Sequence, residues 1–436
     1  MRTKLIIPGI LTLAISLMFS SCEDKMVLTR KINQPVYKSK QEIRASFKKS
    51  GPRAMTNTGK IFSKGNYILI TEAHKGLHVI DNSDPRNPNN IAFYEIDGAL
   101  DIASKGDYLY VDHFMDVLVL DFSDPTNIQE VTRAEDVLMY NLPQRNNEFP
   151  RGEIDPAKGV VVDWEVVETK DEVSSWEAEA LIWGETDVID FQTAMNNPNA
   201  DGSFAATEFE GAKSVSGSVT GKSGSMSRFI TYNDYLYAVD GFKLLIFSTA
   251  NDQVALVGEH DLWIDAETVF ILRQKLFIGG RQGVQFYTLD NPEYPTYESL
   301  YSHVEACDPF IADGDRGYLT IRSGNLCGQT LNQLEILDIQ NISFPTMLES
   351  YSFVNPHGLA KAGNLLFICD GSDGLKVFDA SDDYNLTMLD HETGFTAKDV
   401  IVYPDLLMMM TDNSIYQYDY SDPSNLVLLS SLSITE

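Results

Sequence analysis

The chain has 436 residues, 43% hydrophobic and 11% aromatic, enough apolar material to bury a large core, which excludes a disordered polypeptide. Its 63 acidic side chains outnumber 33 basic ones, for a formal charge of −30. A surface of that sign repels nucleic acid phosphates and anionic lipid headgroups, so no nucleic acid partner is expected.

The N-terminus reads as an export signal over residues 1–21. Arg2 and Lys4 precede an uncharged apolar run from Leu5 to Phe19. At about 15 residues it is short for a membrane span, which needs roughly 20, and no other stretch is long and apolar enough to be one. Phe19-Ser20-Ser21-Cys22 is similar to the lipobox of bacterial lipoproteins, with Phe19 where Leu is usual. The resemblance implies that Cys22 is acylated, with palmitate or a like chain, and becomes the mature N-terminus. That chain keeps 31 basic and 63 acidic side chains, a charge of −32, and touches the membrane through its lipid alone. Glu23-Asp24 resembles signals that send some Bacteroidetes lipoproteins to the outer membrane or cell surface.

Residues 22–55 read as a tether in which Ser39 caps a short helix reaching Phe47. Beyond it, over residues 56–436, an apolar-rich five-residue unit recurs. It stands as LHVID at 77–81, VLVLD at 117–121, LLIFS at 244–248, VQFYT at 284–288, LEILD at 334–338, LKVFD at 375–379 and IYQYD at 415–419. The spacings are 40, 127, 40, 50, 41 and 40, so the period is 40 with two insertions. The flanks repeat as well: SKGNYILI at 63–70 matches SKGDYLYV at 104–111. After the unit comes a Ser-Asp-Pro turn at 83–85, 123–125 and 421–423. Runs rich in β-branched and aromatic residues between such turns are strands, so each unit predicts four short strands. Four strands per 40 residues is a propeller blade, and the fold expected is an all-β, seven-bladed β-propeller.

The 127-residue gap predicts a long insertion after blade two, 133–228, partly disordered from its Gly, Ser, Asn and Ala content between Ala194 and Ser227. Trp164 and Trp176 within it either line a binding surface or pin a loop to the scaffold, the second being the commoner use. The smaller insertion lies between Arg322 and Leu334 and holds Cys327. Cys307 stands just before the first strand of the same blade, at the same end, which allows a Cys307–Cys327 disulfide in an exported chain. Cys307–Cys369 is the rival pairing.

These units resemble the LVIVD repeat of bacterial and archaeal surface proteins, particularly Bacteroidetes lipoproteins, over residues 34–436 apart from the large insertion. The resemblance implies the propeller fold and carries no well-established activity.

The chain has no G-x-S-x-G elbow, H-E-x-x-H, P-loop or C-x-x-C. Its seven histidines do not fall at metal-ligand spacing, and no cofactor is expected. Asp370-Gly371-Ser372-Asp373-Gly374 suggests calcium but lacks the ligand set of a known calcium loop, and turn chemistry explains it better. Aligning the repeats puts Asp101, Arg228, Glu267, Asp308, His357 and Asp399 where first strands enter. Asp112, His113, Asp240, Arg322 and Asp370 fall where second strands leave. This mixed-charge channel mouth is the candidate site, although a wet channel needs polar residues in any case. The leading expectation is a non-enzymatic binding or scaffolding protein of the cell envelope, for a protein or glycan. The runner-up is a hydrolase or lyase acting on glycans or peptides, with carboxylates and His357 at the mouth.

Overall fold

The computed structural model describes residues 25–139, 142–174, 222–223, 227–302, 309–322 and 331–435. They are mostly antiparallel β-sheet, with one α-helix of five residues and two 3-10 turns of three. Each repeat becomes a meander. In the first, Thr58–Lys64, Tyr67–Glu72, Gly76–Asp81 and Asn89–Glu95 pair in chain order, and the five-residue unit is the third strand. Leu77, Val79 and Ile80 of that unit are all fully buried. Both faces of the strand are covered, which is why it is apolar almost throughout.

The unit's closing aspartate has a local task. Asp81 accepts the amide of Ser83 at 2.9 Å, and the same bond recurs at Asp121, Asp338, Asp379 and Asp419. The next Asp or Asn repeats the move, as where Asp84 accepts the amide of Arg86 at 3.0 Å. Two side-chain turns in succession thus reverse the chain into the fourth strand. In all seven units the pairing with the fourth strand slips before the last two residues, as between Val79 and Ile80. Such a bulge adds twist to the outer strand.

The meanders are arranged as a β-propeller of six continuous sheets. Two of the seven units share one sheet of six strands, because Tyr235–Ser248 and Ala255–Leu272 each run through what are two strands elsewhere. The first bends at Gly241, whose φ of +60° a side chain would disfavour. First strands of successive repeats lie next to each other and line the centre. Apolar clusters fill the spaces between repeats, from Leu69, Leu77 and Leu109 between the first two to Ile61, Ile70, Met408 and Ile415 between last and first.

The stretch read as a tether is built into the fold. Lys25–Lys38 pairs along its length with Val160–Ser174, setting Lys31 opposite Glu168 in a two-stranded ribbon. A basic strand thereby faces an acidic one. Ser39 caps the helix Lys40–Arg44 through a reciprocal capping box with Glu42. Lys48–Ser50 then adds to the outer edge of the first sheet, and Met55–Thr56 pairs in parallel with Ile434 and Thr435 of the last. Trp164 donates its indole N–H to the carbonyl of Pro143 at 2.8 Å, pinning that loop. Cys22, Trp176, Cys307, Cys327 and the expected disulfide lie outside the described residues. Cys369 is a buried free thiol.

Candidate functional site

The axial site begins where first strands start. Lys60 pairs with Asp101 at 3.0 Å, with 2% and 1% of their side chains exposed. Asp101 also accepts the amides of Ile102 at 2.7 Å and Arg228 at 2.6 Å. Burial pulls the Lys60 ammonium down, while Asp101 and, from the last sheet, Asp399 pull it up. Burial wins, so the ammonium stays below its ordinary value, and the pairing with the carboxylate and its amides offsets only part of the cost of leaving water.

One repeat further, Arg228 donates Nη2 to Asp240 at 3.3 Å and Nε to the carbonyl of Val239. The other oxygen of Asp240 accepts the Met139 amide at 2.5 Å. Burial raises Asp240 against Arg228 and that amide. Asp112 accepts the amides of Leu100 and Asp101 through one oxygen. Burial still pushes its carboxyl up to about 7.

In the next repeat Arg281 stands 3.6 Å from both Asp265 and Glu267. Burial pushes Glu267 up to about 7, with Arg281 opposing and Asp265 reinforcing. Yet 24% of its side chain stays accessible to water. Arg322 Nη1 stands 3.2 Å from His357 Nδ1. The same Nη1 lies 3.4 Å from Nε2, and because a guanidinium only donates, its approach favours a neutral ring. Burial, then Arg322, hold His357 far below its ordinary value.

Of the residues expected at the mouth, Asp101 and Asp399 thus gather around Lys60, Asp240 meets Arg228, and Arg322 meets His357. Asp370 accepts the amides of Val354 and Asn355 and the Lys376 ammonium at 2.6 Å, as Asp373 also does. A lysine thus occupies the turn considered for calcium. Among the described residues no metal-binding group of three or more His, Cys, Asp or Glu occurs. His113 is placed elsewhere, 3.1 Å from the Ser46 hydroxyl beneath the N-terminal arm, and burial pushes it down to about 4. Asp308 lies outside the described residues. Lys60, Asp265 and Arg281 are additions from the structure. Aligning IFSKGNY on IASKGDY would have put Lys60 level with Asp101.

The family model described as the LVIVD repeat matches residues 57–95, 98–136 and 328–352. The chain carries LVIVD repeats. In the first two matches the LVIVD unit is the buried third strand of a meander, and its aspartate makes the turn described above. No curated protein sequence matches the chain. Among solved structures, it is similar to the dihydro-heme d1 dehydrogenase NirN in complex with DHE, at 10% identity and a TM-score of 0.49, over 88% of this chain and 67% of that one. A computationally designed protein, Ika8, is similar at 9% identity and a TM-score of 0.47, over 88% and 90%. BamB from Moraxella catarrhalis follows at 10% and 0.44, over 82% of each chain.

Proposed function

We propose that the chain is a binding protein of the cell envelope, held by a lipid on Cys22 at the outer membrane or cell surface. Its seven-bladed propeller offers the axial face to an envelope protein or glycan. Seven inter-repeat cores support counting the six-stranded sheet as two blades. One observation carries the binding reading. The axial charges alternate in sign and hold one another, from Asp399 through Lys60, Asp101, Arg228 and Asp265 to Arg281 and Glu267. A fixed donor and acceptor pattern of this kind suits recognition.

The test has two arms. Labelled fatty acid should enter the wild type and not Cys22→Ser; equal labelling would remove the anchor. The full chain carrying Cys22→Ser should recover a partner from envelope extracts, and the double variant Asp308→Asn/His357→Ala should lose it while still folded. Unchanged recovery would move the contact away from the axis. The wetted Glu267, raised to about 7, favours a second reading as a glycan hydrolase or lyase. Turnover of envelope glycans that disappears in Glu267→Gln would select it.

A further inference from the structure

Fourth strands form the outer wall of the ring, and three neighbouring repeats leave theirs open. Among the described residues, no strand pairs with the outer edge of Thr296–Ser302, Thr346–Ser352 or Thr387–Glu392. The turn before each strand carries an exposed aromatic: Tyr294, Phe344 and Tyr384, with 57%, 77% and 63% of their surface accessible. The second residue of each strand, Tyr297, Met347 or Met388, is exposed as well. These three are equivalent by register, each opposite the next-to-last residue of its third strand. In the first two repeats the same place holds Asn90 and Glu130. The Ser343 hydroxyl donates to Glu298 at 2.6 Å and the Tyr351 hydroxyl to the Asp383 carbonyl at 2.8 Å, which links each of these repeats to the next. Single exposed apolar side chains are ordinary, but six on three linked repeats mark an interaction surface.

The charge of this wall is one-sided. Residues 288–302, 338–352 and 379–392 hold ten Asp and Glu and no Lys or Arg. Arg316 pairs with Asp383 at 2.5 Å and stands 3.8 Å from Asp338, Lys361 lies near Asp379, and Lys275 reaches the Ile339 carbonyl. Three of the ten carboxylates are thus met by a cation, and the other seven make no ion pair with Lys or Arg among the described residues. The first repeat shows how such an edge is filled. There Lys48–Ser50 of the arm adds to the outer edge of Asn89–Glu95, Lys48 pairs with Glu95 at 2.9 Å, and Phe47 stacks on Tyr94.

We propose that the outer wall of these three repeats binds an extended polypeptide segment with Lys or Arg between large apolar residues, which adds to an open edge as a strand. Edge addition supplies backbone hydrogen bonds, the aromatic and methionine side chains supply apolar contact, and the carboxylates select the sign of the charge. The same carboxylates oppose an anionic bilayer. This surface is separate from the axial one.

Fluorescence anisotropy of the full chain with labelled peptides of about eight residues, long enough to span a strand, tests this. A peptide alternating lysine with valine binds, and counterparts with glutamate for lysine or serine for valine bind at least about tenfold more weakly. The bound lysine–valine peptide slows hydrogen exchange in one or more of the three open strands and leaves Asn89–Glu95, whose edge is taken, unchanged. The variant Phe344→Ser/Met347→Ser/Tyr384→Ser/Met388→Ser, altered only at exposed positions, loses about tenfold or more in affinity. The comparison of peptides on the wild type needs no variant to fold. Binding also survives in Asp308→Asn/His357→Ala, which separates the wall from the axis. Equal affinity for the lysine–serine peptide would reduce the contact to charge alone and overturn the proposal, as would unchanged exchange or unchanged affinity in the folded variant. Binding to phosphatidylcholine vesicles, or self-association in the ultracentrifuge, that the variant loses while no peptide binds would assign the wall to a bilayer or a second copy and overturn it equally.

Discussion

Asn33 is fully buried, and its amide is shared with a loop far along the chain. Nδ2 donates to the carbonyls of Asn146 at 2.8 Å and Phe149 at 2.6 Å, and Oδ1 accepts the Asn146 amide at 3.1 Å. Asn33→Ala leaves the Phe149 carbonyl and the Asn146 amide without partners, and leaves the Asn146 carbonyl only its 3.3 Å bond from the Phe149 amide, at a cost of about 3 kcal/mol. Denaturant unfolding should register the loss, and protease should begin to cut within residues 142–152. Asp112 makes the opposite case. Its folded carboxyl is raised to about 7, above its ordinary value, so the folded state holds a proton that the unfolded chain releases. Its contribution to stability therefore falls as pH rises from about 4 to 7 and is flat above that. Asp112→Asn keeps the acceptor for Leu100 and Asp101 and has no charge to bury. The variant should gain on the order of 4 kcal/mol over the wild type at pH 8 and nothing at pH 4, and equal stability at both would exclude a buried charge there. At this scale sequence legibility follows range. The turn-making Asp81 and its equivalents act two residues away and were readable. The partners of Asn33 lie 113 residues away or more, and nothing local marks it.

Among elements, the N-terminal arm gains most from the structure. KMVLTRKINQPVYK lacks strict alternation and carries Pro35, and its pairing partner lies over a hundred residues on, so it read as a tether. The helix was readable because a capping box is local. What holds the arm down is electrostatic. Arg44 grips buried Asp116 with two bonds, at 2.7 and 2.9 Å, while Ile43 packs on Phe114, Met115 and Val160. Lys38, Lys48 and Arg53 pair with Asp97, Glu95 and Glu72. The arm also reaches the axis: Asp116 holds the Asp136 amide, and three residues on the Met139 amide bonds Asp240, the partner of Arg228. Arg44→Ala should cost about 3 kcal/mol, because Asp116 keeps its burial and loses its main counter-charge. Arg133 at 3.4 Å compensates only in part. Hydrogen exchange should rise in residues 39–50 and 135–139 while the far sheets stay protected. Unchanged exchange at 135–139 would break the proposed link between arm and axis.

For the whole molecule, the period of 40 exposed the architecture because each repeat buries its unit in the same way. The count of sheets was less legible, since two repeats merge where the bend at Gly241 and the run through Ala255–Leu272 leave no break in the ladders. A ring must also be closed, and closure joins the two ends of the described chain. Met55 pairs with Ile434, the Thr435 hydroxyl donates to the Met55 carbonyl at 3.0 Å, and the amides of Asn82 and Gln417 exchange two bonds. Ile61, Ile80, Ile401 and Met408 pack beneath. Among the described residues no other junction depends on pairing between segments so distant in sequence, so loop-closure entropy falls most heavily here. Ile434→Ala and Met55→Ala should each cost about 2 kcal/mol through lost packing. Both residues belong to one cluster, so the double variant should cost less than the sum, by about 0.5 kcal/mol or more. Strict additivity would mean that the closing strand and the arm act independently. Opening the seam should also separate the last sheet from the first during unfolding. Near the transition, hydrogen exchange in Val427–Thr435 should then run ahead of that in Gly283–Thr288, whereas equal rates would show that the ring unfolds as one unit even with its seam weakened.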